Sequence, residues 1–140
     1  KMIKKKLKIN FKKRRGSISD IFYKKNINHV AIIKSKAGVK RGDHFHKKTT
    51  QWMLITKGSL EYWFKAKGSK HKPKKVILKE GDIVETPPYE MHALKIIKSN
   101  EFIVFTVGKR GGKDYESDTY RFLPSLINSN QSNENYQIKK

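Results

Sequence analysis

The sequence predicts an all-β fold, a small antiparallel barrel or sandwich made as one domain, and three observations predict it. Apolar residues recur with a period of two in many short runs rich in β-branched and aromatic side chains. Clusters of Gly, Pro, Ser, Asn and charged residues separate these runs at close spacing. No stretch of ten or more residues carries a convincing helical period.

Taken in order, "LKINF" alternates at Leu7, Ile9 and Phe11, the pattern of a half-buried strand. "NHVAIIK", "QWMLIT", "SLEYWF", "KKVIL", "DIVET", "HALKII" and "EFIVFTV" follow. "RRGS", "KAGVKRGD", "TKGS", "KAKGSKHKPK", "KEGD", "KSNE" and "GKRGGKD" are the expected turns between them. The domain is expected over residues 1–126, with a polar, low-complexity tail over residues 127–140 that is loose or packs late onto a neighbour. Nothing repeats as a solenoid would.

The 140-residue chain has room for one real core and not for two comfortable ones. It contains no cysteine, which excludes disulfides and thiolate metal sites and makes a reducing compartment, the cytoplasm, the expectation. The N-terminal "KMIKKKLKINFKKRR" has no apolar block behind it, so no secretory leader is expected, and Met2 reads as the natural start. No apolar run is long enough to span a bilayer, and no membrane role is expected.

The net charge is +21, yet arginine occurs only at positions 14, 15, 41, 110 and 121, so lysine supplies most of it. Base readers and phosphate clamps favour arginine for its planar fork, and this excess is spread along the chain. The sequence therefore argues against a specific nucleic-acid partner. A solvated lysine-rich surface that attracts anionic small molecules is the expected reading.

The histidines carry the chemistry. Residues two apart on a strand share a face, so His44 and His46 of "RGDHFHKKTTQW" project together, away from Phe45. Gln51, Met53 and Ile55 share another face and, if it is the inner one, Gln51 looks toward the pair. In "EGDIVETPPYEMHALK" the two prolines end a strand and His92 opens the next. Each of these has a plainer reading as a barrel residue, and Gln51 as an amide bonded to a histidine. His29 and His71 read as structural or solvated, and Trp52, Tyr62, Trp63 and Phe64 as core or interface.

The spacing of these residues resembles the cupin superfamily of small β-barrels, or jelly rolls. Gly38, His44, His46 and Gly58 fit every interval of the first cupin motif, with Gln51 in the glutamate position. Gly81, Pro87 and His92 fit the second, with Tyr89 for its glycine and Ile96 for its asparagine. More narrowly, "RRGSISDIF" resembles the opening segment of the epimerases acting on dTDP-4-keto-6-deoxy sugars, and "RGDHFHK" a segment of the related 3,4-ketoisomerases. "GKDYESDTYRF" is similar to the closing segment of such cupins, with no catalytic role assigned.

That resemblance implies a homodimeric isomerase or epimerase moving a proton next to the ketone of a nucleotide-linked 4-keto-6-deoxy sugar. It implies His44 as the proton-transfer residue with His46 beside it, and Arg41 as a ligand of the nucleotide diphosphate. Lys47 is a substrate-binding candidate by proximity in sequence. No position matches the epimerases' aspartate partner or tyrosine acid. Imidazole suits the task, because its ordinary pKa lies near that of a working general base.

The favoured reading requires no cofactor. The alternative places a divalent metal (Zn, Ni, Fe or Mn) on His44, His46, His92 and the Gln51 carbonyl, as in a dioxygenase or lyase for small organic acids. A binding cupin without catalysis is the third possibility.

Overall fold

A computed structural model describes residues 2–132 and 135–140; Lys1 and tail residues 133–134 lie outside the described residues. Two long strands organise everything else. β6 (Thr50–Ala66) and β9 (Glu90–Val107) pair antiparallel from Thr50↔Val107 to Ala66↔Glu90, with register shifts between Ile55 and Leu60. Those shifts divide each strand into two stretches with different neighbours.

The first half of β6 and the last half of β9 form one sheet with β8 (Asp82–Thr86), β1 (Ile3–Lys6) and β4 (His29–Ser35). The other halves pair with β7 (Lys74–Lys79) and β5 (Lys40–Phe45), and β10 (Tyr120–Leu123) and β11 (Gln137–Lys139) extend that sheet from β5. A separate hairpin, β2 (Phe11–Lys13) with β3 (Gly16–Ile18), stands exposed.

The halves close on a shared core. Met53, Ile55 and Phe102 from the first sheet pack with Leu60, Tyr62 and Ile96 from the second. Each such buried side chain contributes about 1.5–3 kcal/mol of hydrophobic stabilisation. The period-two pattern explains the wall: in β4, Ala31 and Ile33 are partly buried while Val30 and Ile32 stay 56% and 61% exposed. Outside the first sheet, Phe22 and Ile27 cover Trp52, Leu54 and Ile83. Trp52 and Trp63 are therefore core residues, as one reading of the sequence had it.

Some expected boundaries move. "LKINF" is not one strand: residues 7–9 lie between β1 and β2, because β1 forms earlier by pairing with β8. Leu7 still packs against the Trp52 cluster, but Ile9 and Phe11 are exposed. The expected turn "KSNE" lies inside β9, where pairing with β4 carries the strand through it. β5 begins within the expected turn "KAGVKRGD". In the polar tail, Ile127 and Tyr136 pack with Phe45 and Phe122, and β11 pairs with β10. No helix among the described residues is long and apolar enough to cross a membrane.

Candidate active site

The site lies between the two sheets, whose residues line one cavity. His44 on β5 is the ladder partner of His92 on β9, and Arg121 on β10 is the partner of His44 on its other side. Directly opposed residues of antiparallel strands share a face, so His92, His44 and Arg121 form a row across three strands. His46 follows β5 immediately and its ring is buried. The His44–His92, His44–His46 and His46–His92 ring centroids are 4.6, 5.0 and 5.6 Å apart.

A glycine makes this row possible. Gly42 has φ 92°, and a Cβ there would lie 2.9 Å from the His92 carbonyl oxygen and 3.0 Å from the Ala93 Cα. The chain then bulges between Gly42 and His44, with Asp43 at φ 56°. Asp43 is held there by accepting the Leu126 amide at 3.0 Å. The bulge re-aims His44 into the cavity, a common use of that device beside functional sites.

Hydrogen bonds fix two of the rings. His46 Nδ1 donates to the Asp118 carbonyl at 2.8 Å, and His92 Nδ1 donates to the Glu90 carbonyl at 3.0 Å. A carbonyl only accepts, so each neutral ring carries its proton on Nδ1 and turns the Nε2 lone pair toward the cluster. His46 Nε2 is buried with no hydrogen-bond partner among the described residues, although the nearby Gln51 side chain favours the protonated ring.

All three imidazoles are held neutral. Burial, then the charges of His92, His46, Arg110 and Arg121, push His44 well below the usual histidine range. Burial, then His46, brings His92 down to about 3. His46 is lowered by burial as well. Asp118 supports the cluster from behind. Burial pushes its carboxyl up, but the Lys47 and Lys48 amides and the Thr49 hydroxyl outweigh this and hold it below its ordinary value.

The residues fit a metal as well as a proton. The ligating atoms of His44, His46 and His92 all lie within 4.8 Å of one another. A buried Nε2 without a partner, on a ring whose Nδ1 is pinned to a carbonyl, is the arrangement metal-binding histidines use. Gln51 lines the same cavity and could add its side-chain oxygen.

That cavity measures about 470 Å³, enough for a sugar-sized ligand. Arg41, Gln51, His44 and His92 line it, so four of the expected site residues meet there. His46 sits behind them in ring contact with both other histidines. Lys47 is placed elsewhere, its ammonium 4.3 Å from the Tyr120 ring centroid and outside the lining.

Sequence reasoning missed four lining residues: His29, Arg110, Tyr115 and Arg121. His29 was expected to be structural, yet its ring faces the cavity beside Tyr115, at a centroid distance of 5.5 Å. A signal for the arginines was present. Three of the five arginines line this cavity, against a single lysine, Lys40. In so lysine-rich a chain, arginine marks where a planar fork is wanted.

No curated relative matches the sequence. Solved structures match the fold. The dTDP-4-dehydrorhamnose 3,5-epimerase of Sulfolobus tokodaii is 18% identical, covers 94% of each chain and has a TM-score of 0.72. The sugar 3,4-ketoisomerase QdtA of Thermoanaerobacterium thermosaccharolyticum, solved with TDP, is 18% identical over 84% of this chain and 85% of its own, with a TM-score of 0.68. The WlaRB TDP-quinovose 3,4-ketoisomerase of Campylobacter jejuni is 17% identical over 81% and 90%, with a TM-score of 0.68. The barrel is thus the cupin fold that the two histidine motifs imply. The family described as the polysaccharide biosynthesis C-terminal domain matches residues 11–120, and the chain belongs to that family.

Proposed function

We propose that this chain is a nucleotide-sugar isomerase or epimerase that moves a proton next to the ketone of a nucleotide-linked 4-keto-6-deoxy sugar. One observation carries the reading: a neutral, cavity-lining imidazole, His44, stands between the buried His92 and the cation Arg121. At neutral pH its lone pair is free to take a proton. The carbanion electrons then move onto the ketone oxygen, and the positive charges of Arg110 and Arg121 near His44 favour that enolate. His46 and His92, pinned on carbonyls, hold the His44 ring by packing.

Arg41 is the proposed diphosphate ligand. Its Nε donates to Ser35 Oγ at 2.7 Å and its Nη2 to the Lys34 carbonyl at 3.3 Å, which sets the guanidinium at the cavity wall. The nucleotide-sugar enzymes of the same fold support this choice of substrate class. The working unit is a homodimer, for which the apolar Val30 and Ile32 on the outer face of the edge strand β4 offer a surface.

In heavy water, the wild-type protein is expected to place deuterium next to the ketone of TDP-4-keto-6-deoxyglucose or its UDP counterpart. His44→Asn is expected to slow that exchange by roughly 100-fold or more, the scale of a lost general base. Folded wild-type protein that exchanges neither sugar overturns the proposal.

The Nε2 of His46, without a hydrogen-bond partner among the described residues, favours a second reading. A divalent ion would be held by His44, His46 and His92, with the Gln51 oxygen as a fourth donor. Such an ion supplies Lewis-acid polarisation of a bound oxygen. Elemental analysis of the purified protein tests this, and a stoichiometric metal whose chelation lowers the Tm supports it.

A further inference from the structure

We infer that a cleft beside the β6–β9 bulge, apart from the histidine cavity, binds a phosphate group, with the Asn100 amide as its floor and Lys34, Lys36 and Lys57 around it. The inference begins from a break in the ladder. Lys57 pairs with Glu101 and Ser59 with Lys98, so Ser99 and Asn100 of β9 together oppose the single residue Gly58. That is a β-bulge, a device that re-aims side chains and recurs beside functional sites. Glycine is required opposite it. At position 58 φ is 75°, and a Cβ there would lie 2.6 Å from the Asn100 Cβ and 2.9 Å from its Cα.

Asn100 is left with an unmet demand. Its ladder partner on β4 is Ser35, whose hydroxyl oxygen is taken by Arg41 Nε. Asn100 is 6% exposed, and neither its Nδ2 nor its Oδ1 has a hydrogen-bond partner among the described residues. A primary amide brings two N–H donors and a carbonyl acceptor, and burying all of them unbonded is costly and uncommon. An apolar side chain would fill the place at lower cost. The amide therefore points to something that it binds.

The surrounding charges say what. Lys34, Lys36 and Lys57 line the same cavity of about 400 Å³ as Asn100, and Glu101 is the one carboxylate in that lining. Glu101 is already engaged: Oε2 accepts the Thr56 hydroxyl at 2.9 Å, and Oε1 lies 3.9 Å from Lys34 Nζ. Three ammonium groups against one carboxylate give the lining a net charge of +2. It shares no residue with the lining of the histidine cavity, which separates it from the diphosphate position proposed at Arg41.

A phosphate dianion meets these needs together. Its oxygens accept from Asn100 Nδ2 and from the ammonium groups in charge-assisted hydrogen bonds, and an ammonium drawn inward donates to Asn100 Oδ1. The torsion that turns an asparagine amide is soft, so Nδ2 swings toward an anion seated above it. The three lysines are exposed and well hydrated, which sets the expected dissociation constant on the order of 1 mM.

The test titrates inorganic phosphate, and in parallel glucose 1-phosphate, into isotopically labelled protein at constant ionic strength and follows it by NMR. The Asn100 side-chain amide and the Gly58 and Ser99 backbone amides are expected to shift together with one constant, ahead of Lys70 in the exposed loop after β6. Equal constants for the two ligands assign free phosphate, and a tighter one for glucose 1-phosphate assigns phosphate carried on a sugar; either supports the site. Asn100→Leu, which removes a buried unbonded amide, is expected to keep or raise the Tm and to weaken binding about 10-fold. Lys36→Gln combined with Lys57→Gln changes two exposed positions, is expected to weaken binding by about as much, and decides the matter should Asn100→Leu not fold. Wild-type affinity in either variant would overturn the inference. So would Asn100 signals that stay still while lysine signals drift uniformly over the surface, since water alone would then be the partner of the amide.

Discussion

The cavity has a wall made of strands and a wall made of loop, and the two are held in different ways. His92 and His44 sit in the β9–β5 ladder, the His92 ring buried and the His44 ring half-buried at the cavity, with their neighbours fixed by backbone pairing. Arg110 and Tyr115 ride on the segment that joins β9 to β10, which keeps its place through Arg110 and His29 contacts rather than a ladder. Opening the first wall means breaking the sheet. Opening the second means sliding one loop, a motion drawn from the low-stability end of a fold. The strand wall should therefore couple chemistry to global stability, and the loop wall should not.

Two glycines break this comparison most directly. A Cβ at Gly42 would meet only backbone, 2.9 Å from the His92 carbonyl oxygen, at φ 92°. Gly42→Ala is expected to cost about 2–4 kcal/mol and lower the Tm by roughly 10 °C, with loss of proton exchange. At Gly111, φ is 90° and so also left-handed, but the added Cβ would meet the His29 side chain, with Nε2 at 2.7 Å. The loop can give way there, so Gly111→Ala is expected to cost about 1–2 kcal/mol while proton exchange persists. Thermal denaturation and the heavy-water assay read both effects. Equal losses of Tm would mean that the loop is locked as firmly as the ladder.

Acid should loosen the strand wall next. The folded-state pKa values of His44, His46 and His92 are lowered, that of His92 to about 3. Below the ordinary histidine value near 6.5, the unfolded chain binds protons that the folded cluster refuses, so stability falls as pH falls. For His92 alone the window runs from about pH 6.5 down to 3, and the loss between 6.5 and 5 is about 2 kcal/mol. Asp82 and Asp118 have lowered carboxyls and add to the loss at still lower pH. Melting curves between pH 7.5 and 5 measure this. A flat Tm would mean that the histidines are not held neutral.

The same division explains how much could be read from the sequence. Strand geometry is local: a period of two puts His44 and His46 together, and fixed motif intervals bring in Gln51 and His92. Pairing then placed His44 against His92. The merger of "QWMLIT" with "SLEYWF" into β6 was not legible, because long-range pairing with β9 carries the strand across a turn signal. Nor were His29 and Tyr115, which are 86 residues apart in sequence. Nothing periodic links a strand residue to a loop of Gly, Lys and Arg, and only the concentration of arginine pointed there.

Gln51 lies where the two readings of the histidines meet, and charging it separates them. Gln51→Glu changes little volume and puts a carboxylate beside His46. In a metal-free site it favours protonated His44 and His46, so the exchange profile should move about one unit toward higher pH. In a metal site it replaces a neutral oxygen with an anionic one, and metal affinity should rise. Neither change would mean that Gln51 does not act on the histidines.

The smallest expected effect concerns the cations. Arg41 is set by Ser35 and Lys34, and no partner among the described residues reaches its Nη1, so that group remains for a phosphate oxygen at the cavity wall. Lys70 lies exposed in the loop after β6, away from the cavity lining. Both contribute one positive charge to the long-range field, but only Arg41 offers a fixed fork at the proposed diphosphate position. Arg41→Ala should weaken TDP binding roughly 10-fold, or about 1.4 kcal/mol, whereas Lys70→Ala should change it less than twofold. Raising the salt from about 0.05 to about 0.3 M, which takes the Debye length from above about 10 Å to below it, should weaken wild-type binding through the screened part of the field. The Arg41 advantage over Lys70 should survive that change, because a short hydrogen-bonded ion pair is screened far less than a distant charge. Titration calorimetry at the two salt concentrations reads both quantities. Equal effects of the two substitutions at either salt would reduce Arg41 to one more cation in a general positive field.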